Sequence, residues 1–195
     1  QYTFQKAYYS FSNITVSDYF NSDLLSNRLV QTIDNGYLVS GRLQDPFSGN
    51  DKAILIKTDP FGELEWVKGF NNINQQVAIM DLKKNLENGY IISTGLGWGG
   101  GIMKLDTNGD TLWTKHFDDL QSISSIDNTS DSGYVAIGHS WNDYESIIKF
   151  NSLGNIMWSK GLNDSSSNLP YPRNIRQTFD GGFIISGSAL VSSTS

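Results

Sequence analysis

Two histidines and a scatter of carboxylates are the groups in this chain best suited to proton transfer, and their surroundings promise little catalysis. His116 stands in an extended segment at a position that Gly69 and Gly161 fill in related segments, and His139 follows Gly138 at the start of a loop. No Gly-x-Ser-x-Gly elbow, His-Glu-x-x-His pair or Gly-x-x-x-x-Gly-Lys phosphate loop occurs. Gly97-Trp98-Gly99-Gly100-Gly101 is glycine-rich, yet no helical pattern follows it, as a dinucleotide site requires. Asp106-Thr107-Asn108-Gly109-Asp110 alternates oxygen ligands as a calcium loop does at its start. Its copies, Asp59-Pro60-Phe61-Gly62-Glu63 and Asn151-Ser152-Leu153-Gly154-Asn155, lose most of the carboxylates, and no glutamate stands at the closing distance. A turn is the favoured reading, with calcium as the alternative. The chain has no cysteine, so thiolate metal sites and disulfides are excluded. No catalytic residue, metal or cofactor is expected.

Recognition chemistry is better supplied. Aromatic rings stand beside Asp and Asn in the segments where related units differ: Asp45, Pro46 and Phe47; Trp98; Trp141, Asn142, Asp143 and Tyr144; and Tyr171 at the end of the connection 163–172. Such rings stack on sugars or anchor a protein partner, and ordinary loop packing is the alternative for each of them. Lysines recur as well, Lys57, Lys104 and Lys149 in one kind of segment and Lys6, Lys68, Lys115 and Lys160 in another. A basic stripe for an anion is one reading. The favoured one is that they blunt sheet edges and cover aromatic surface with their stems.

The elements that must position these residues are repeated. Gly101 to Phe117 reads as two strands joined at Asp106-Thr107-Asn108-Gly109, and the same text leads from Lys57 to Phe70 and from Lys149 to Leu162. Trp66, Trp113 and Trp158 are thereby equivalents about 45 residues apart, the period of propeller blades or solenoids. A second hairpin precedes each, closed at Gly36, Gly89, Gly133 and Gly182, where the turn residues must tolerate positive φ. Four antiparallel strands per unit make one propeller blade. The expected fold is an all-β propeller with blades at 28–70, 78–117 and 122–162 and the start of a fourth within 174–195. Phe4-Gln5-Lys6-Ala7-Tyr8, inside 1–10, matches the tryptophan strand and reads as a closing strand. Phe4 and the three tryptophans are expected to dock blade on blade. Since the fourth unit stops after its second strand, the sequence reads as part of a longer chain.

The formal charge is -6 with no cluster of Lys or Arg, which argues against nucleic acid and anionic membrane surfaces. No apolar run has spanning length. The lean towards Asn, Ser, Gly, Thr and Tyr suits an extracellular β-rich protein, and the start at Gln1 suits a processed terminus.

The repeat Asp-Asn-Gly-Tyr-Leu-Val-Ser-Gly followed by Ile-Lys-Thr-Asp-x-x-Gly-x-x-x-Trp-x-Lys resembles the propeller repeats of secreted and cell-surface proteins of Bacteroidetes, over most of Arg28 to Ser188. Such proteins often carry a C-terminal signal for type IX secretion. The Asp-x-x-Gly-x-x-x-Trp segment also looks like the tryptophan-docking motif of quinoprotein-like propellers, with one residue fewer between Asp and Gly, and more loosely like an Asp-box, with a different distance to Trp. Neither quinone-binding nor glycosidase residues carry over. The resemblance implies a secreted or surface, non-enzymatic adhesion or interaction module, a type IX cargo, whose partner is a cell-surface protein or glycan or the secretion machinery. The alternative is an accessory or catalytic propeller segment of a secreted polysaccharide-directed hydrolase; a purely structural domain is a third.

Overall fold

The computed structural model describes residues 10–11, 14–15, 25–44, 51–70, 78–95, 99–141, 144–162 and 171–188, and every regular element among them is a β-strand. The chain divides into two compact units, Gln1–Ile79 and Met80–Ser195. In the first, a short pair, β1 (Ser10–Phe11) and β2 (Ile14–Thr15), precedes a four-stranded antiparallel sheet. That sheet runs in chain order through β3 (Leu25–Gln31), β4 (Tyr37–Gln44), β5 (Asp51–Thr58) and β6 (Leu64–Phe70). Leu38, Ala53 and Leu55 on its inner strands are wholly buried. The outermost β6 alternates partly buried and exposed positions along most of its length, as a half-covered strand should.

The second unit repeats this sheet. β7 (Ala78–Lys84), which begins at the unit boundary, β8 (Tyr90–Gly95), β9 (Gly100–Leu105) and β10 (Thr111–Phe117) form one blade. β11 (Leu120–Asn128), β12 (Tyr134–Ser140), β13 (Glu145–Phe150) and β14 (Ile156–Gly161) form the next. β15 (Tyr171–Gln177) and β16 (Phe183–Ser188) make a two-stranded sheet. Among the described residues one ladder pairing, Ser122 with Gly95, runs between the two blades.

Strand β12 explains why the second strand of a unit reads as an unbroken apolar run instead of an alternating one: both of its faces are covered. Tyr134 and Ala136 enter a core with Ile91, Ile102, Ile123 and Phe150, against which Trp113 packs. Val135 and Ile137 enter another with Ile175, Phe183 and Ile185 of the following sheet. Side chains alternate across a strand, so one strand serves both neighbours.

The turns are built from side chains onto their own backbone. Asp59 Oδ1 accepts from the amides of Phe61 and Glu63, Asp106 Oδ1 from those of Asn108 and Asp110, and Asn151 Oδ1 from those of Leu153 and Asn155, all at 2.8–3.0 Å. The acceptor is one oxygen, so Asn serves as well as Asp. In the calcium-like text of Asp106 this makes a turn, with one carboxylate oxygen accepting from two amides. Among the described residues no group of three His, Asp or Glu is placed to hold a metal ion.

The other hairpins correct the reason expected for their glycines. Positive φ falls one residue earlier, on Asn35 (66°), Asn88 (67°) and Ser132 (64°). At Gly36, Gly89 and Gly133 a Cβ would stand 2.1, 2.2 and 2.3 Å from the carbonyl oxygens of Thr58, Leu105 and Phe150. These glycines are needed because the third strand passes too close for any side chain.

The third-strand lysines are a second correction. They are not edge lysines in solvent: Lys57, Lys104 and Lys149 are buried, each on a carboxylate of the first hairpin turn. Lys57 donates to Asp34 at 2.8 Å and Glu65 at 2.7 Å, Lys104 to Glu87 at 2.9 Å, and Lys149 to Asp131 at 2.9 Å. Lys57 and Lys149 also donate to the next carbonyl, of Thr58 and Phe150. Burial by itself would lower the Lys57 pKa, but the Asp34 and Glu65 carboxylates more than offset it and the net shift is upward. Asp34 is held down at about 2, chiefly by Lys57 and then Thr32; Asp131 is held at about 2, chiefly by Thr129 and then Lys149.

Removing Asp131 strands a buried ammonium, so Asp131→Ala is expected to cost about 2 kcal/mol, whereas Lys149→Met, which removes the need for a partner, should stay within about 1 kcal/mol. Urea unfolding of the two variants checks the ordering. The pH dependence has a definite sign. A carboxyl whose folded pKa is depressed adds stability above its ordinary value near 3.8 and loses it as pH falls through about 2. The carboxyls are 52% and 55% exposed, so solvent screening limits each contribution to about 1 kcal/mol. Melting temperature should therefore fall between about pH 4 and pH 2, less steeply in Asp131→Asn.

Candidate functional site

In an antiparallel blade the first and third turns lie at one end of the sheet, and the second loop and the connection to the next blade lie at the other. The second of these ends carries the exposed rings of Trp141 and Tyr144. The connection after β10 is short, Asp118 and Asp119, and delivers the chain directly into β11. Gly99 lies against it, since a Cβ there would stand 2.5 Å from the carbonyl oxygen of Leu120 and 3.3 Å from Cε1 of His116. His116 Nε2 lies 3.1 Å from Asp118 Oδ1. From the following blade Trp141 Nε1 donates to the carbonyl oxygen of Asp118 at 3.1 Å.

Trp141 opens the loop between β12 and β13. Its indole is 53% exposed although its only N-H is already bound, so what it offers outward is ring surface. Tyr144 closes the same loop. The Ser140 amide donates to the Tyr144 carbonyl at 2.9 Å and the Tyr144 amide donates to Ser140 Oγ at 3.1 Å, leaving the phenol ring exposed. Beneath the loop His139 faces Glu145 across the ladder, with Nδ1 and Oε1 2.7 Å apart. Glu145 is buried and His139 half-buried, so the acid fixes the ring's orientation. Two imidazole–carboxylate pairs, an indole and a phenol thus share one end of the unit, an arrangement able to bind a ring or a polar group.

Trp141 and Tyr144 are the expected binding residues that the structure places on the surface. Tyr171 begins β15, paired with Ser188, and its side chain is outside the described residues. Asp45, Phe47, Trp98, Asn142, Asp143 and Phe4 also lie outside them. The tryptophans take matching ladder positions: Trp66 faces Lys57, Trp113 faces Lys104 and Trp158 faces Lys149, each beside an irregularity in register. Trp113 meets Tyr134 at 6.3 Å and Trp158 meets Phe183 at 5.9 Å, so each ring rests on the residue that opens the second strand of the next sheet. Trp66 carries the Lys68 ammonium 5.1 Å from its ring centre. The pairs His139–Glu145 and His116–Asp118 were missed in the sequence. For the first, the signal is the register itself, since a short loop sets residues six apart face to face.

No protein-family model and no curated protein matches the chain. Among solved structures, a protein of unknown function from Bacteroides caccae aligns with a TM-score of 0.56 and 10% identity, covering 84% of this chain and 53% of its own. The Dos1 propeller aligns with a TM-score of 0.58 and 12% identity, covering 83% of this chain and 42% of its own. The chain spans about half the length of these structures. At such identities the likeness concerns the fold alone, which is an all-β propeller of four-stranded antiparallel blades.

Proposed function

We propose that this chain is a non-enzymatic interaction module of a secreted or cell-surface protein, a cargo of type IX secretion, that binds a glycan or protein partner at the loop end of its blades. The observation that carries the reading is Trp141. Its N-H is spent on the Asp118 carbonyl, its ring is exposed, and Tyr144 stands at the other end of the same loop. A ring fixed by a hydrogen bond loses little freedom on stacking against a sugar or seating in a partner's pocket. Secretion and the type IX route rest on the repeat resemblance.

A glycan array together with pull-down from cell envelopes tests the proposal. Trp141→Ala and Tyr144→Ala should each lower affinity for a retained ligand about tenfold, because a central aromatic contributes on the order of 1–2 kcal/mol, with unfolding unchanged. The proposal fails if both variants bind as the parent does, or if nothing is retained.

One observation favours the hydrolase alternative: buried Glu145 orients His139, a geometry that also serves proton transfer. Polysaccharide turnover that disappears in His139→Ala and survives in Trp141→Ala would move the chain to that class.

A further inference from the structure

We infer that Asn88 is a self-modification site: the backbone nitrogen of Gly89 attacks its side-chain amide, and the product is an aspartyl or isoaspartyl residue at position 88. The observation that carries the inference is an amide hydrogen that is bound in the copies of this turn and has no acceptor in this one.

Three Asn-Gly pairs occur in the sequence, Asn35-Gly36, Asn88-Gly89 and Asn108-Gly109. A glycine after asparagine lets its nitrogen approach the side-chain carbonyl unhindered, because no Cβ stands in the way. In all three pairs the asparagine is exposed and the glycine buried, so solvent access does not separate them. Nor does backbone conformation separate the first two, since Asn35 and Asn88 have φ of 66° and 67°.

What separates them is the glycine N-H. Gly36 donates to Asp34 Oδ1 at 3.2 Å, and Gly109 donates to the Asp106 carbonyl at 3.1 Å. The turns at Gly133 and Gly182 repeat the first pattern, on Asp131 and Asp180. Among the described residues the Gly89 N-H has no acceptor. The cause is one methylene. Asp34 is short enough to hold the glycine amide with one oxygen while the other takes Lys57. Glu87, at the same place in its turn, reaches Lys104 at 2.9 Å and passes the amide by.

An amide nitrogen attacks after losing its proton, and a carboxylate bonded to that proton opposes the loss. At Gly89 hydroxide removes the proton and the nitrogen bonds to Asn88 Cγ. The Cγ–Nδ2 bond breaks, ammonia leaves, and a cyclic imide joins residues 88 and 89. Water then opens it at either carbonyl, giving the aspartyl or the isoaspartyl product, with no co-reactant besides water. The isoaspartyl form lengthens the main chain directly before Tyr90, which is buried and paired with Leu105. Both forms set a new carboxylate next to Glu87, the acid that holds Lys104. The blade 78–117 thus carries a slow, irreversible change at the hairpin that seats β8 on β9.

Prolonged incubation of the chain in mildly alkaline buffer, followed by peptide mass mapping, tests this. Conversion should be about tenfold faster at Asn88 than at Asn35, the worth of an amide bond to a carboxylate, and the difference should vanish in concentrated urea, where the turns are lost. Exchanging the two acids is the sharper comparison: Glu87→Asp should supply the acceptor and slow Asn88 about tenfold, and Asp34→Glu should remove it and speed Asn35 by a similar factor. Urea unfolding shows whether each variant is folded. If either is not, hydrogen exchange in the parent chain decides, with the Gly89 amide expected to exchange faster than that of Gly36. Equal rates at Asn35 and Asn88 in the folded chain, a ranking that persists in urea, indifference of Asn88 to Glu87→Asp in a folded variant, or a Gly89 amide no faster than Gly36 overturns the assignment.

Discussion

Asp81→Ala is expected to destabilise the Met80–Ser195 unit by about 3–5 kcal/mol, the cost typical of removing one partner from a buried charged network. Asp81 is wholly buried in β7. One carboxylate oxygen accepts from the Leu82 amide at 2.9 Å and the Lys83 ammonium at 2.8 Å. The other accepts from Ser125 Oγ at 3.2 Å and the Ile126 amide at 3.1 Å, both on β11 of the next blade. Truncation would orphan the buried Ile126 N-H and remove the acceptor for a half-buried ammonium. Ser125, the counterpart of Asp81 one blade on, accepts from the Ile175 amide at 3.4 Å. The inner strands are therefore tied in series, each polar side chain taking an amide of the strand that follows. Asp81→Asn keeps one acceptor and should cost about half as much. Hydrogen exchange at Ile126, read beside urea unfolding, should report faster opening in both variants.

Trp113→Ala should cost about 3 kcal/mol, and Trp158→Ala about 1 kcal/mol, although the two tryptophans are equivalent in sequence. Trp113 packs against the shared core and meets Tyr134 edge to face. The third turn of the next blade also closes on it: a Cβ on Gly154 would stand 2.7 Å from the indole ring. Trp158 meets Phe183 but is 41% exposed, on a strand exposed along all six of its residues. Truncation costs scale with what surrounds the removed atoms. Equal losses in chemical denaturation would mean that the rings are not supported by their following sheets.

Much of this architecture was legible because it is local. Asp59, Asp106 and Asn151 write their turns into four or five consecutive residues, and the apolar runs opened by Tyr37, Tyr90, Tyr134 and Phe183 follow turns of fixed length. What could not be read is long-range. The first-strand position that ties β7 to β11 and β11 to β15 holds Asp81 and then Ser125, and the matching positions of the sequence hold Arg28 and Asn174, four residue types with no common text, because reaching a neighbouring amide asks only for some acceptor. The third-strand lysines were visible but misread, since a lysine at a strand end looks alike in sequence whether it is solvated or buried. The missing clue was the acid lying 17 to 23 residues earlier in the first turn of the same blade. The loop end was half legible: Trp141 and Tyr144 stood out as aromatic residues in a variable loop, while the support of Asp118 and Glu145 depends on which strands are neighbours.

The account stands on the sheets of the Met80–Ser195 unit being clamped one to the next through Trp113 and Trp158, and a double-mutant cycle on Trp113 and Tyr134 measures that clamp directly. With Trp113→Leu, Tyr134→Leu and the pair compared by urea unfolding, the prediction is a coupling of about 1 kcal/mol, because each replacement removes a ring that the other requires. Losses that add to within about 0.3 kcal/mol would show that the two rings act independently, and the blade-to-blade clamp would be contradicted.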